Sequence, residues 1–486
     1  MSMTVGRSAL AIFVVLLIIV GVGGYYLDPA PESGFDPDAG YDDGFTAGDS
    51  AGYSRGYADG LAEVPPPPPD TDGDGVPDEF DVCPTVAGLP EFGGCLKPPK
   101  IAVVSDVGGR GDLSFNDMAF WGGEKAETDF GVEMIEIISS TEDDYVPNLR
   151  LGALDPDVVL IVGVGYLLTD AIIAVATDFP DKDFAVIDGF VPGMPNVMSI
   201  LYEEHKGSAM VGALGALLAA EYDYPYIGGV FGIEIPVLWK FEIGYKWGVD
   251  WAMQWYEDTY GTTAPGIGAT PMKERVLYTY TGTFSDITKG YLAAVPMYEQ
   301  GAVAVYNIAG PLGLGINDAV TELAEAQGLD SGPPFWIGVD ANQDWINPGF
   351  VIASMMKRVD RGVYLATQLV VEGTFRDVVE EYGGIVVLGV GTEVSGVSIS
   401  GISVSTLADL DEFIAMGERA EELTGTTILP GTPSEIRAAV EAMRNAVPDW
   451  IWDAIDELAQ EIADGTAEVP ECSFGCDIDS YRDIYG

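Results

Sequence analysis

The sequence predicts an α/β protein whose body consists of two lobes, each built on a parallel sheet with helices on both faces. Several apolar runs lack polar alternation, and each ends in a glycine or polar turn before a stretch with helical periodicity. Such runs are typical of strands buried on both faces of a parallel sheet. The body spans about 370 residues, which is too long for one such sheet unit, and two lobes are therefore expected.

The predicted strands follow one another from residue 101 onward. They are IAVVSDVGG (101–109), DVVLIVGVG (157–165), DFAVIDG (183–189), YIGGVFG (226–232), AVAVYNIAG (302–310) and FWIGVD (335–340). Helical stretches follow at 116–130 and 169–178, and an amphipathic stretch at 449–465 predicts a helix packed on the body. Ligands of open α/β sheets bind beyond the carboxyl ends of the strands, so function is expected there.

The charge balance excludes one large class of partner. The chain has 77 Asp and Glu against 22 Lys and Arg, a formal net charge of −55. A nucleic acid would be repelled at every approach, which excludes a phosphate-binding role of that kind. The hydrophobic fraction of 48% also excludes general disorder.

An uncharged segment of twenty residues, 8–27, predicts a membrane anchor at the N-terminus. As a helix it would be about 30 Å long, enough to cross a bilayer core. Arg7 precedes it and acidic residues follow, so the rest of the chain is expected outside the cytoplasm, attached to the cell membrane. A cleaved signal peptide within residues 1–27 is the alternative.

The four cysteines agree with an exported protein. An even number of cysteines in an oxidising compartment predicts two disulfides, most simply the local pairs Cys83–Cys95 and Cys472–Cys476. The second pair would lie in a short tail, residues 471–486. Cross-pairing between the two ends of the chain and a four-cysteine zinc site are the alternatives.

Residues 28–69 predict an acidic stalk rich in glycine and proline. From 28 to 98 there are 16 acidic residues and two basic ones, a local charge of −14. Glycines recur at every fourth position from Gly40 to Gly60, which would suit a helix packed closely on another. A flexible spacer is the favoured interpretation, because each glycine costs a helix about 1 kcal/mol.

The segment 70–98 predicts a structural calcium site that stiffens the stalk. Its sequence begins DTDGDGVPDEFDVCP, in which carboxylates alternate with glycines that allow a tight turn. Oxygen ligands in this arrangement suit calcium, and the stretch resembles one thrombospondin type 3 repeat. A solvated acidic linker is the alternative. The expected ligands are Asp70, Asp72, Asp74, Asp78 and Asp81.

Polar and aromatic residues follow several of the predicted strands. Carboxylates bind sugar hydroxyls, and a phenylalanine ring stacks on a flat apolar ring, so the set predicts recognition of a ring joined to a polyol. Each aspartate taken alone is better explained as a helix cap or a loop residue. The residues are Asp106, Ser114, Phe115, Asn116, Asp170, Asp340 and Lys357.

A series of motifs in the body resembles the basic membrane protein family of ABC transporter substrate-binding proteins, of the purine nucleoside receptor type. The resemblance spans about 99–470 in the family's order. The motifs include SDVGGRGDLSFND (105–117), EEHKGSAMVGALGA (203–216), GGVFGIEIPVLWKFEIGYKWGV (228–249), GTFSDITKG (282–290), WIGVDANQ (336–343) and SMMKRVDRGVY (354–364).

The resemblance implies a type I periplasmic-binding fold in which three chain crossings form the hinge. Lobe one is expected at 99–202 and 352–385, and lobe two at 203–351 and 386–470. It further implies that the protein captures a nucleoside, with a purine base, and delivers it to a membrane permease. The chain has no GxxxxGK[ST] phosphate loop, so the ATPase would be a separate chain.

The family's binding residues transfer to positions of this sequence. Phe115 and Phe241 would stack on the base, with Asp106 and Asn116 beside it. Asp340 and Lys357 would hold the ribose, and Asp170 would line the cleft. Tyr166 and the glycine loop that contains Gly313 stand at two further family positions, where the sequence departs from the usual pattern.

Two other functions are compatible with the sequence. A nucleoside hydrolase would use paired carboxylates such as Asp106 and Asp340, but no nucleophile motif is present and His205 is the sole histidine. The favoured prediction is therefore a binding protein without enzymatic activity. A surface-anchored sensor or structural protein that retains the fold is the second alternative, because the stalk is long.

Overall fold

A computed structural model describes residues 68–486 with the exception of 82, 93 and 95. The chain divides into two compact units, and the second begins at Leu96. The predicted anchor and the stalk up to residue 67 lie outside the described residues. Within the part that the structure describes, no helix has both the length and the apolar character needed to cross a membrane.

The first sheet has six strands, all parallel, in the order β11-β5-β4-β3-β1-β2. Its central strands are buried on both faces, as their continuous apolar sequences predict. The strands are β1 (Lys100–Val104), β2 (Glu133–Ile137), β3 (Val158–Val164), β4 (Asp183–Ile187), β5 (Val197–Tyr202) and β11 (Ile385–Leu388).

The second sheet repeats this order as β14-β10-β9-β8-β6-β7, and only its edge strand β14 is antiparallel. Strands β12 (Thr392–Val394) and β13 (Val397–Ile399) form a separate antiparallel ribbon. The strands of the second sheet are β6 (Tyr226–Phe231), β7 (Val276–Tyr280), β8 (Ala302–Ile308), β9 (Phe335–Asp340), β10 (Val351–Lys357) and β14 (Ile402–Val404).

Helices cover both faces of both sheets, so each sheet with its helices forms one lobe. Helices α2 and α3 cover one face of the first sheet, and α1 and α8 cover the other. In the second lobe, α6 and α7 lie on one face and α4 and α5 on the other. These helices are α1 (Phe115–Phe130), α2 (Tyr145–Leu154), α3 (Thr169–Asp178), α4 (Glu204–Glu221), α5 (Pro236–Tyr260), α6 (Ile287–Glu299), α7 (Leu312–Gln327) and α8 (Val359–Val371).

Five further helices complete the described chain. The amphipathic segment predicted to pack on the body is α12, which buries its apolar face against α4. The tail carries the expected local disulfide, Cys472–Cys476. Cys83 is also disulfide-bonded, and Cys95 lies outside the described residues. The helices are α9 (Phe375–Glu381), α10 (Leu410–Thr424), α11 (Pro433–Ala446), α12 (Asp449–Ala463) and α13 (Ile478–Tyr485).

The chain passes three times between the two sheets, which agrees with the predicted fold class. The crossings follow β5, β10 and β11. Two expected lobe boundaries are corrected. Residues 352–357 belong to lobe two, because β10 pairs with β9 and β14, and residues 386–388 belong to lobe one, because β11 pairs with β5.

Candidate functional site

A cavity of about 650 Å³, part of it open to solvent, lies where the carboxyl ends of the two sheets face each other. This is the position in which open α/β sheets bind ligands. Both lobes contribute to its walls. Of the residues predicted from the sequence, the cavity is lined by Asp106, Phe115, Asn116, Tyr166, Phe241, Asp340 and Lys357.

Two predicted residues do not line this cavity. Asp170 lies in the first turn of α3 with its side chain exposed. Gly313 is buried in α7, and a Cβ atom there would lie 2.3 Å from the amide nitrogen of Asn307. Close packing within lobe two therefore accounts for this glycine, and neither residue touches the cavity.

The loop between β1 and α1 holds its polar side chains through a dense set of hydrogen bonds. The Asn116 amide donates to Asp106 (2.8 Å) and to Asp112 (3.1 Å). Asp112 also accepts from the backbone N–H groups of residues 114, 116 and 117, so it caps the start of α1. Burial raises the pKa of Asp106, although the hydrogen bonds that it accepts from Gly108 and Asn116 oppose this shift.

Two phenylalanines flank the ammonium group of Lys357 within the cavity. Phe115 is the first residue of α1 in lobe one, and Phe241 lies on α5 in lobe two. Lys357 Nζ lies 5.2 Å from the centroid of the Phe115 ring and 5.6 Å from that of Phe241. The cavity thus presents an aromatic side chain from each lobe next to one fixed positive charge.

A buried network of charges surrounds Lys357. Its ammonium group donates to Asp188 (2.6 Å) and pairs with Glu204 (3.0 Å), and Glu204 pairs in turn with Lys240 (3.2 Å). Asp188 also lines the cavity and is not among the residues predicted from the sequence. The sequence contained a signal for it, since Asp188 comes directly after the strand in DFAVIDG and Asp340 ends the strand in FWIGVD.

The network fixes which groups carry charge. The nearby carboxylates raise the pKa of Lys357, so it remains protonated. Burial raises the pKa of Asp188 to about 6 and that of Asp340 to about 7, although the lysine opposes both shifts. Asp340 is therefore close to its midpoint at neutral pH, where it is able to accept or donate a hydrogen bond.

Hydrogen bonds join the two lobes directly across the cleft. Ser114 Oγ donates to the carbonyl of Val339 (3.0 Å) and to Asp340 (3.2 Å). The Gln343 amide donates to the carbonyl of Leu113 (3.1 Å). Together with the Lys357–Asp188 pair, these contacts show the lobes closed on each other.

The predicted calcium ligands are only partly brought together. Carboxylate oxygens of Asp70, Asp72 and Asp74 lie within 4.8 Å of one another. Asp78 instead accepts hydrogen bonds from the backbone and hydroxyl of Thr71, and Asp81 accepts from the backbone of residue 83. The three clustered carboxylates provide oxygen ligands of the kind that calcium prefers, so these three residues would hold the ion.

Two sheet lobes closed on a charged, aromatic-lined cavity define a solute-binding protein, and the sequence comparisons identify its family. Residues 99–257 and 253–411 match the family model Bmp, described as an ABC transporter substrate-binding protein, PnrA-like. The chain belongs to this family of substrate-binding proteins, whose members are in general not enzymes.

Relatives and a solved structure agree with this assignment. An uncharacterized lipoprotein of Pyrococcus horikoshii is 35% identical over 371 residues, 76% of this chain and 83% of the relative. The ABC transporter nucleoside-binding protein BmpA of Lactococcus lactis is 28% identical over 280 residues, 54% of this chain and 71% of the relative. A solute-binding protein structure from Aeropyrum pernix is 34% identical, with a TM-score of 0.65, covering 80% of this chain and 96% of that one.

Proposed function

We propose that the protein captures a purine nucleoside outside the cytoplasm and delivers it to the permease of an ABC importer. The observation that carries this proposal is the composition of the cavity: phenylalanines from both lobes flank Lys357, with Asp106 and Asp340 in the same walls. The aromatic rings suit a flat base, and the charged groups suit the hydroxyls of a ribose.

The relatives support both parts of the proposal. One relative is named as a nucleoside-binding protein, and three archaeal relatives are named as lipoproteins. Attachment of this chain to the outer face of the cell membrane through its apolar N-terminal segment would keep a captured ligand near the permease. A separate ATPase would then drive import.

Calorimetric titration of the full chain at high salt tests the ligand class. We expect saturable binding of guanosine, inosine or adenosine, much weaker binding of cytidine and ribose, and no conversion of the nucleoside to base and sugar. A folded protein that binds none of the five compounds would contradict the proposal and favour a sensor or structural role. Release of free base would indicate a hydrolase.

A phenylalanine at each end of α1 provides a matched pair of variants for the stacking role. Phe115→Ala should weaken nucleoside binding by about 1–3 kcal/mol, the range for stacking of a base on an aromatic side chain. Phe130→Ala removes the same side chain from the far end of the helix, where Phe130 contacts Tyr364 instead of the cavity. Equal nucleoside affinities for the two variants would show that Phe115 does not stack on the base.

We also propose that the acidic segment binds calcium through Asp70, Asp72 and Asp74, which stiffens the stalk. Calcium should then slow proteolysis of this segment in the full chain, and a chelator should reverse the protection. Asp72→Asn should abolish the protection by removing one of the three clustered carboxylates, whereas the neighbouring Glu79→Gln serves as a control of equal charge change. Indifference of the cleavage rate to calcium would contradict this proposal.

A further inference from the structure

The last sixteen residues form a compact tail that is closed by a disulfide. Cys472 and Cys476 are bonded, which makes a small loop with Phe474 at its centre, and α13 follows directly. Cys472 is fully buried although it lies near the end of the chain. The loop is therefore a fixed part of the body.

Lobe two anchors this tail. Cys472 and Ile478 pack with Ile243 of α5, the helix that also carries Phe241. Arg482 donates to the buried carboxylate of Glu242 on the same helix (3.0 and 2.9 Å). The loop and α13 are thus held against α5 by both apolar packing and a buried ion pair.

The tip of the tail contacts lobe one. The ring of Phe474 stacks on Phe190, with a centroid distance of 5.2 Å and an interplanar angle of 26°. It also lies 6.0 Å from the ring of Tyr166. Tyr166 lines the cavity, and Phe190 comes two residues after Asp188, so the Phe474 contacts lie at the rim of the cleft.

We propose that the C-terminal tail is a latch across the rim of the cleft, and that Phe474 retains bound ligand by fastening lobe two to lobe one. The part of the proposal that concerns ligand retention rests on the proposed function; the part that concerns lobe closure does not. The stacking exists only when the lobes are closed, because the tail is anchored on one lobe and its ring stacks on the other. It therefore favours the closed state over the open one.

The tail also contacts the charge network of the cavity. Glu471 pairs with Lys240 at 3.3 Å, and Lys240 pairs with Glu204, which pairs with Lys357. Half of the Glu471 side chain is exposed, so this pair is worth little by itself. The pair places the start of the tail beside the network, and the ring contact provides most of the stabilisation of the closed state.

Alanine variants of the two rings in the full-length protein test the latch. The stacking of two aromatic rings corresponds to about a two- to tenfold change in an equilibrium. We expect Phe474→Ala and Phe190→Ala each to speed nucleoside dissociation in stopped-flow measurements by about this factor. Because the contact that Phe190→Ala removes is also removed by Phe474→Ala, the double variant should dissociate no faster than Phe474→Ala alone.

Hydrogen exchange of the ligand-free protein gives a second measurement that needs no nucleoside. Backbone amides in the cleft segments 105–118 and 308–316 should exchange faster in both alanine variants by a similar factor. Phe190→Ala lies on lobe one and leaves the anchor of the tail intact, so an effect there reports the contact and not unfolding of the tail.

Ser473→Ala is the matched control, because it changes the same loop next to the ring without removing the ring. Exchange and dissociation rates in Phe474→Ala that equal those of the wild type would overturn the latch. Additive effects in the double variant, or an equal effect of Ser473→Ala, would also overturn it. If no nucleoside binds but exchange quickens as expected, the proposed ligand is wrong and the latch stands.

Discussion

The two sheets carry an aspartate at equivalent strand ends but give it different partners. Asp188 follows β4 and Asp340 ends β9, and these are corresponding strands in two sheets of the same order. Both residues have a left-handed backbone, with φ of 65° and 63°. Asp188 accepts a bond from Lys357 of the opposite lobe, whereas Asp340 accepts one from the hydroxyl of Ser114.

This difference indicates separate roles for two residues in the same structural position. Lys357 is the buried ammonium group that Asp188, Glu204 and Asp340 share. Asp188 and Glu204 make the direct ion pairs, so Asp188 holds the lysine across the cleft. Asp340 has only a hydroxyl donor and retains the capacity to bind a ligand hydroxyl. The equivalent position is thus structural in lobe one and suited to ligand binding in lobe two.

The largest expected effect comes from removing the lysine that joins the two lobes. Lys357→Met leaves the carboxylates around it buried without their cation, which should lower the free energy of unfolding by about 3–5 kcal/mol. Denaturant unfolding at high salt measures this. Lys206→Met is the control, since Lys206 and Glu203 form a pair whose side chains are each about a quarter exposed and which should contribute less than about 1 kcal/mol. Similar losses for both variants would show that the buried network contributes no more than a surface pair.

The carboxyl-end rule predicted part of the cavity from the sequence, the family resemblance added Phe241 and Tyr166, and the failures of the rule have physical causes. It found Asp106 and Asp340, and the same rule would have found Asp188 had it been applied to every strand. Glu204 and Lys240 lie on two different helices, and their contact depends on how α4 packs on α5. No local pattern contains that information.

Packing and strand pairing also explain two further differences between prediction and structure. Gly313 is needed for close packing against Asn307, but in the sequence it resembles a glycine of a ligand-binding loop. The expected lobe boundary at residue 352 lies inside strand β10, because the apolar sequence of this strand does not indicate where the chain crosses between the lobes. The crossing follows Lys357, where hydrogen bonds to β9 and β14 end.

Exchange of each aspartate for asparagine tests the difference between the two lobes. Asparagine tolerates the left-handed backbone that both positions require, so the change removes charge with little strain. Asp188→Asn should cost about 1.5–3 kcal/mol at neutral pH, the range for a hydrogen bond to a charged group. Asp340→Asn should cost less than about 1 kcal/mol, because it loses only a bond from a neutral hydroxyl. Equal costs in denaturant unfolding would contradict the assignment of separate roles.

The smallest effect is a pH dependence that differs between the same two variants. An aspartate in the unfolded chain has a pKa near 3.9, so at pH 5 a folded protein with raised pKa values binds protons that the unfolded chain has lost. This contribution to stability is present at low pH and disappears as pH rises through the folded pKa, about 6 for Asp188 and about 7 for Asp340. Each asparagine variant lacks it, so between pH 5 and 8 it should gain stability relative to the wild type, by about 1 kcal/mol for Asp188→Asn and about twice that for Asp340→Asn. The gain should be complete about one pH unit lower for Asp188→Asn, where the lysine partly offsets burial. Gains that end at the same pH would show that the two carboxylates share one environment.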